Sequence, residues 1–294
     1  MGCLRKALLL SSLVGGGAWM APAVSLAAEN VPIFEYYENK ETKVTPIKGK
    51  YGDVRAEGIT ASLNLPIPLY RTENSGVIFN GKLNFLARTE TIDGEDVPVS
   101  QQYFRVLSAL KVGFVSYTKL SDNFSPIFVL NYLNHPTAFS VYRPVFENYL
   151  GGKIAGRYTL LLRTVRQPNG YFFGPLLGWG TTFNENLSLD ILLPAHGKLI
   201  YTADSKNYII TAGFDADARN FPANADGAKG WFTGYHVRVF SQLSVSIYKA
   251  VYLTLLGGYI YSENNFYAYT DKSPTFSWAE EPTGFLGGGL EANF

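Results

Sequence analysis

Apolar and polar positions alternate with a period of two in segment after segment of this chain. In Ile59–Leu65 the odd positions Ile59, Ala61, Leu63 and Leu65 are apolar, while Thr60, Ser62 and Asn64 are polar. Val77–Arg88 repeats the pattern, with Val77, Phe79, Leu83 and Phe85 against Asn80, Lys82, Asn84 and Arg88. The last residues do the same: Leu286, Gly288, Leu290, Ala292 and Phe294 alternate with Gly287, Gly289, Glu291 and Asn293. A two-residue period places one residue class on each face of an extended strand. Asn, Asp, Gly and Pro punctuate the segments, as turn chemistry requires.

Twelve such segments are predicted: Ile59–Leu65, Val77–Arg88, Phe104–Tyr117, Phe124–Leu133, Ile154–Val165, Tyr171–Phe183, Leu187–Leu193, Leu199–Ala203, Tyr208–Asp217, Trp231–Ile247, Val251–Ser262 and Gly284–Phe294. Ten or fourteen remain open, because 118–149 reads either as a loop or as extra short strands. Two longer polar gaps, at 219–230 and 264–283, fall on the opposite side from the short connections at 204–207 and 248–250. No internal repeat and no second domain is visible.

The two ends add a direction. Arg5 and Lys6, an apolar run from Ala7 to Met20 and the small-residue site Ser25-Leu26-Ala27 form the three parts of a secretory leader. The run is too short for a membrane-spanning helix, so residues 1–27 are predicted to be removed. Cys3, Met1 and Met20 go with them, which leaves no thiol for a disulfide or a zinc site. Residues 28–50, containing ENKETKVTPIKGK, read as a polar amino-terminal arm, and 51–294 as a barrel. Of 25 basic residues, the loss of Arg5 and Lys6 leaves 23 against 24 acidic. A chain so nearly neutral has no electrostatic footprint for nucleic acid.

A leader at one end and an alternating strand closing on an aromatic residue at the other resemble the outer-membrane β-barrel proteins of Gram-negative bacteria. The resemblance implies an all-β, antiparallel transmembrane β-barrel of about twelve strands, with short periplasmic turns and longer external loops. It implies Phe294 as the barrel-assembly signal. As partners it implies the assembly machinery, periplasmic chaperones, outer-membrane lipid and lipopolysaccharide. The segment GPLLGWGTTFNENLSLDILLPAHGKLIYTADSK at 174–206 is similar to a family of uncharacterised bacterial outer-membrane proteins, which carries no agreed activity.

Parity then sorts the charges. Lys82, Arg88, Arg105, Lys111, Arg157, Arg163 and Arg238 are expected to point inward, with Asp190, Asp215, Asp217 and Glu291. A surplus of basic residues in a lumen favours anions. The leading expectation is therefore a passive, narrow channel for small solutes, with no enzyme activity and no cofactor. An ion-pair network that blocks the barrel is its competitor, and a link from Asp215 to Arg238 on the next strand is the simplest account of that acid. A closed structural or adhesin-type barrel would act through the external loop at 264–283, where Phe266, Tyr267, Tyr269, Phe276 and Trp278 cluster. A lipid-modifying hydrolase comes third. The histidines are His135, His196 and His236, and no GxSxG segment accompanies them, yet a Ser–His–acid set can be assembled from separate strands. His236 is expected to face the lumen beside Arg238. No metal-ligand spacing stands out. Trp179, Trp231 and Trp278, with Tyr158, Tyr201, Tyr235, Tyr259 and Tyr261, suit aromatic girdles at the membrane boundaries.

Overall fold

A computed structural model describes residues 30–48, 54–72, 74–92, 95–96, 106–134, 145–167, 170–225, 228–248, 251–268 and 276–293. The strands are β1 (Asn30–Lys48), β2 (Val54–Arg71), β3 (Ser75–Ile92), β4 (Glu95–Asp96), β5 (Val106–Thr118), β6 (Phe124–Asn134), β7 (Val145–Ile154), β8 (Tyr158–Gln167), β9 (Gly170–Thr182), β10 (Leu187–Leu193), β11 (His196–Thr202), β12 (Tyr208–Ala225), β13 (Ala228–Tyr248), β14 (Val251–Ala268) and β15 (Phe276–Asn293). Each pairs antiparallel with its neighbours in the chain. The pairings β1 with β15 and β2 with β3 close the sheet into a barrel. The two-residue β4 only extends the β3 hairpin, so fourteen strands form the wall.

Fourteen replaces the expected twelve, and the two additions have separate causes. Asn30–Lys48, read as part of an arm because of its charge, is β1, pairing with both β2 and β15. Ile154–Val165, read as one strand, contains a tight reversal at Ala155-Gly156-Arg157 that separates β7 from β8. Ala155 and Gly156 both adopt positive φ, 49° and 66°, a conformation that glycine takes without steric cost. The polar gaps at 219–230 and 264–283 are mostly strand as well. β12 and β13 pair as far as Ala225 and Ala228, and β14 and β15 as far as Phe266 and Phe276. The leader and Phe294 lie outside the described residues.

The outward face is a continuous apolar belt. Phe34, Ile59, Leu63, Phe85, Phe114, Leu130, Leu162, Leu177, Leu199, Val239 and Leu255 are all exposed on it. Tyr158, Trp179 and Tyr201 ring its lower edge, on the side of the short turns, and Tyr208 packs on Tyr201 with ring centroids 6.4 Å apart. An apolar exterior around a closed wall is the arrangement by which strands cross a bilayer, because pairing between neighbouring strands satisfies the backbone.

One sector of the wall is low. β10 and β11 have seven residues each, fewer than the roughly 9–11 that a strand needs to cross the hydrocarbon layer. Beyond Pro194 the wall lacks two strands among the described residues. β9 from Gly170 to Leu176 and β12 from Ala216 to Ala225 each have a strand neighbour on one side only among the described residues. The Ala216 amide donates to the Ala195 carbonyl at 2.6 Å at the corner.

The upper part of β12–β14 turns into the interior beside this notch. β12 touches β5, the strand diametrically opposite in the wall. Tyr235 on β13, whose register faces away from the lumen, is near enough to Arg163 on β8 to interact electrostatically. Thr233 and Asn265, on that same face, are only 2% and 6% exposed. A β12 edge left in lipid would strand backbone groups at several kcal/mol each; rolled inward, it is covered by the rest of the barrel.

Candidate functional site

The interior is the candidate site, and the pinch between β5 and β12 gives it two halves of different chemistry. The half beneath β5–β10 is apolar: Val115, Ile127, Val129, Tyr149, Leu161, Leu176, Leu192 and Ala195 form one buried cluster. These residues face inward by register, so alternation here puts apolar residues on both faces of the wall. At the cluster's edge sits a three-residue ion pair. Lys111 binds Glu147 on one oxygen. On the other, Glu147 accepts from Arg163 Nε at 2.9 Å and from the Tyr149 hydroxyl at 2.8 Å. All four side chains are buried or nearly so. Glu147 carries the cluster and was invisible to parity, because β7 itself was missed.

The other half, beneath β12–β15 and β1–β3, is polar. Arg238 on β13 grips Asp215 on β12 through two parallel bonds, Nε to Oδ1 at 2.9 Å and Nη2 to Oδ2 at 2.7 Å. Its third nitrogen, Nη1, donates to Glu35 Oε1 on β1 at 2.7 Å, reaching past β14 and β15. Gly287 and Gly289 of β15 lie on the lumen face in this span, and a Cβ at Gly289 would collide with the β1 backbone at Phe34 and Glu35. The guanidinium also lies 6.0 Å from the Phe240 ring centroid and 5.9 Å from that of Phe285. Bidentate Arg–carboxylate pairing is the strong form of the ion pair. Lower down, Glu291 accepts from Gln242 at 2.7 Å and from Ser244 at 3.0 Å.

Among the residues singled out from sequence, Lys82, Lys111, Arg163 and Arg238 line the interior. Asp215 makes its expected link to Arg238. Arg88 occupies a lumen-side register position opposite Gly58, and Arg105 lies outside the described residues. Arg157 is a correction: it is exposed in the β7–β8 turn, where its carbonyl accepts from Gly180 N–H at 2.9 Å. Strand parity does not apply to a turn residue. The aromatic cluster at 264–283 is a second correction, since Phe266, Tyr267, Phe276 and Trp278 occupy paired strand positions, not an independent loop. Tyr269 is outside the described residues. Tyr235, assigned to a girdle, is half-buried beneath the inward roll.

The charge balance also differs from the expected basic surplus. Lumen-side bases with described side chains are Lys82, Lys111, Lys153, Arg163, Lys198 and Arg238; the acids are Glu35, Glu147, Asp190, Asp215, Glu280 and Glu291. The two sets are equal. His196, placed in a surface turn by sequence, opens β11 instead and is buried, with Nε2 2.8 Å from Asp190 Oδ2. His236 faces inward as expected. Among the described residues no group of three or more His, Cys, Asp or Glu is arranged to hold a metal ion.

No protein-family model and no curated protein sequence matches the chain. Solved structures that it resembles are outer-membrane barrels. The outer membrane protease OmpT from Escherichia coli is 8% identical over 92% of this chain and 100% of its own, with a TM-score of 0.26. The TodX monoaromatic hydrocarbon channel, as a deltaS2 mutant, is 8% identical over 96% of this chain and 94% of its own, at 0.30. Pseudomonas aeruginosa OccD3 (OpdP) is 9% identical over 95% of this chain and 98% of its own, at 0.28. Superpositions this loose say nothing about activity.

Proposed function

We propose that this chain is an outer-membrane β-barrel of a Gram-negative bacterium whose interior is shut at rest, and that solutes pass only when the seal is displaced. The observation that carries the reading is the Arg238–Asp215–Glu35 cluster, a buried brace from β12 across to β1. The apolar cluster under β5–β10 supports it from the other side. A water-filled pore would leave such side chains wet, and neither half of the interior does so. The channel expected from sequence is kept in narrower form, as a conditional passage for small solutes. Its selectivity for anions is not kept, because the lumen-side acids and bases with described side chains are equal in number.

The test is single-channel recording of the refolded chain in a planar bilayer. The native protein is expected to be silent or to flicker, and Arg238→Met to raise the open fraction. A steady, high-occupancy current from the native barrel would overturn the sealed reading.

A further inference from the structure

His236 is held by a serine. Its Nδ1 lies 2.8 Å from Ser262 Oγ, and the two residues, 8% and 2% exposed, are direct partners across β13 and β14. The row continues on both sides. Asp217 on β12 is the register partner of His236, and the buried Glu280 on β15 is the register partner of Ser262. Three adjacent strands thus place His, Ser and Glu side by side on the lumen face of the outer half of the barrel. The ladder is also irregular at this point. Ile260 pairs with Thr283 but Ser262 with Glu280, so β15 carries an extra residue beside the serine. Bulges of this kind re-aim a side chain and concentrate next to active sites.

We propose that Ser262 and His236 are the nucleophile and general base of a carboxylic-ester hydrolase built into the barrel's outer half. A serine hydroxyl is a weak nucleophile until a base within hydrogen-bond reach takes its proton. The imidazole nitrogen that faces Oγ takes the proton as Oγ bonds to the ester carbonyl carbon. The carbon–oxygen bond to the alcohol then breaks, and the alcohol departs with the proton from His236. Water, deprotonated in turn by His236, attacks the acyl-serine, releases the carboxylic acid and restores the serine hydroxyl. No metal or cofactor takes part in this sequence. The proposal does not depend on whether the barrel conducts.

The full refolded chain in detergent would be treated with a fluorophosphonate probe and, separately, with p-nitrophenyl butyrate. Folding would be confirmed first by the barrel's altered migration on unheated gels. The expected result is one probe adduct, mapped to Ser262 by mass spectrometry, and p-nitrophenol release that disappears in Ser262→Ala. His236→Gln is expected to slow release by about 100-fold or more. Ser244→Ala, which alters another buried serine, is the control and keeps both signals. Absence of both adduct and turnover in the folded native barrel would overturn the proposal, since a pair that no ester reaches is only structural. Turnover that survives in Ser262→Ala would overturn it as well.

Discussion

Replacing Arg238 with Met tests the brace directly. The arginine, Asp215 and Glu35 side chains are only 11%, 8% and 18% exposed, so solvent does little to screen them. Removing one partner of a buried ion pair typically costs about 3–5 kcal/mol, because the other charge stays buried and uncompensated. Here one substitution takes the guanidinium from two carboxylates, which places the expected loss at the upper part of that range. The companion variant Arg238→Met/Asp215→Asn/Glu35→Gln removes the stranded charges and should recover most of the loss. Neutral, well-packed replacements of buried pairs are often close to neutral in stability. The assay is a urea titration of the refolded barrel in lipid vesicles, followed by tryptophan fluorescence. A single-variant loss below about 1 kcal/mol, in the range of solvent-exposed pairs, would mean that the cluster is wet and the lumen open. So would a triple variant no more stable than Arg238→Met.

Other outcomes follow from the same interior. Glu147→Gln leaves Lys111 and Arg163 facing each other beside the apolar cluster, and should lower stability by about 3 kcal/mol or more; the same titration reads it. Leu161→Ala, at a fully buried position of that cluster, should cost about 2–5 kcal/mol, whereas Leu162→Ala, on the exposed belt, should cost much less in the same vesicles. At the short-turn side, Lys119 beside Asp122 holds that carboxyl below its usual range. A lowered folded-state pKa adds stability above the unfolded carboxylate range and loses it as pH falls. The pair is fully solvated, so Asp122→Asn is expected to leave the acid unfolding midpoint unchanged within error.

The alternation was legible where the two faces of the wall meet different media, and it failed where they do not. β2 reads cleanly because Thr60, Ser62 and Asn64 face a polar half of the interior while Ile59, Leu63 and Leu65 face lipid. β7 does not, because Tyr149 faces inward into an apolar cluster and Leu150 faces outward into lipid. Two apolar neighbours in a row look like a loop or a blurred strand. β1 was hidden for the opposite reason: ENKETKVTPIK is dominated by charged and polar residues, and only Phe34-Glu35-Tyr36 keeps the period. Lys82, Lys111, Arg163 and Arg238 were sorted inward where the strand itself was found, and Arg157 was misplaced because three turn residues were counted as strand. The Ser262–His236 contact was beyond sequence, since it depends on a register between residues 26 apart.

The missed acids change more than a count. With Glu35 on the unrecognised β1 and Glu147 on the unrecognised β7, the strands left out are those that neutralise the arginines left in. Arg238 and Arg163, read alone, make a cationic pore lining; with their partners they make cross-links. A guanidinium therefore serves opposite functions depending on whether a carboxylate one strand away, as for Arg163, or three strands away, as for Arg238, has been found. Register supplies that information, and composition does not. The notch above Pro194 sharpens the point. A wall too short to cross the hydrocarbon layer must hide the strand edges that it exposes, and β12 and β13 do so by turning inward, β12 against β5 and β13 toward β8. Filling the lumen is then a consequence of the short β10–β11 hairpin, and lengthening that hairpin should loosen the seal. An insertion of two residues on each side of Pro194 would extend the paired edge of β12, and the open fraction in bilayer recordings should rise; an unchanged record would separate the seal from the notch.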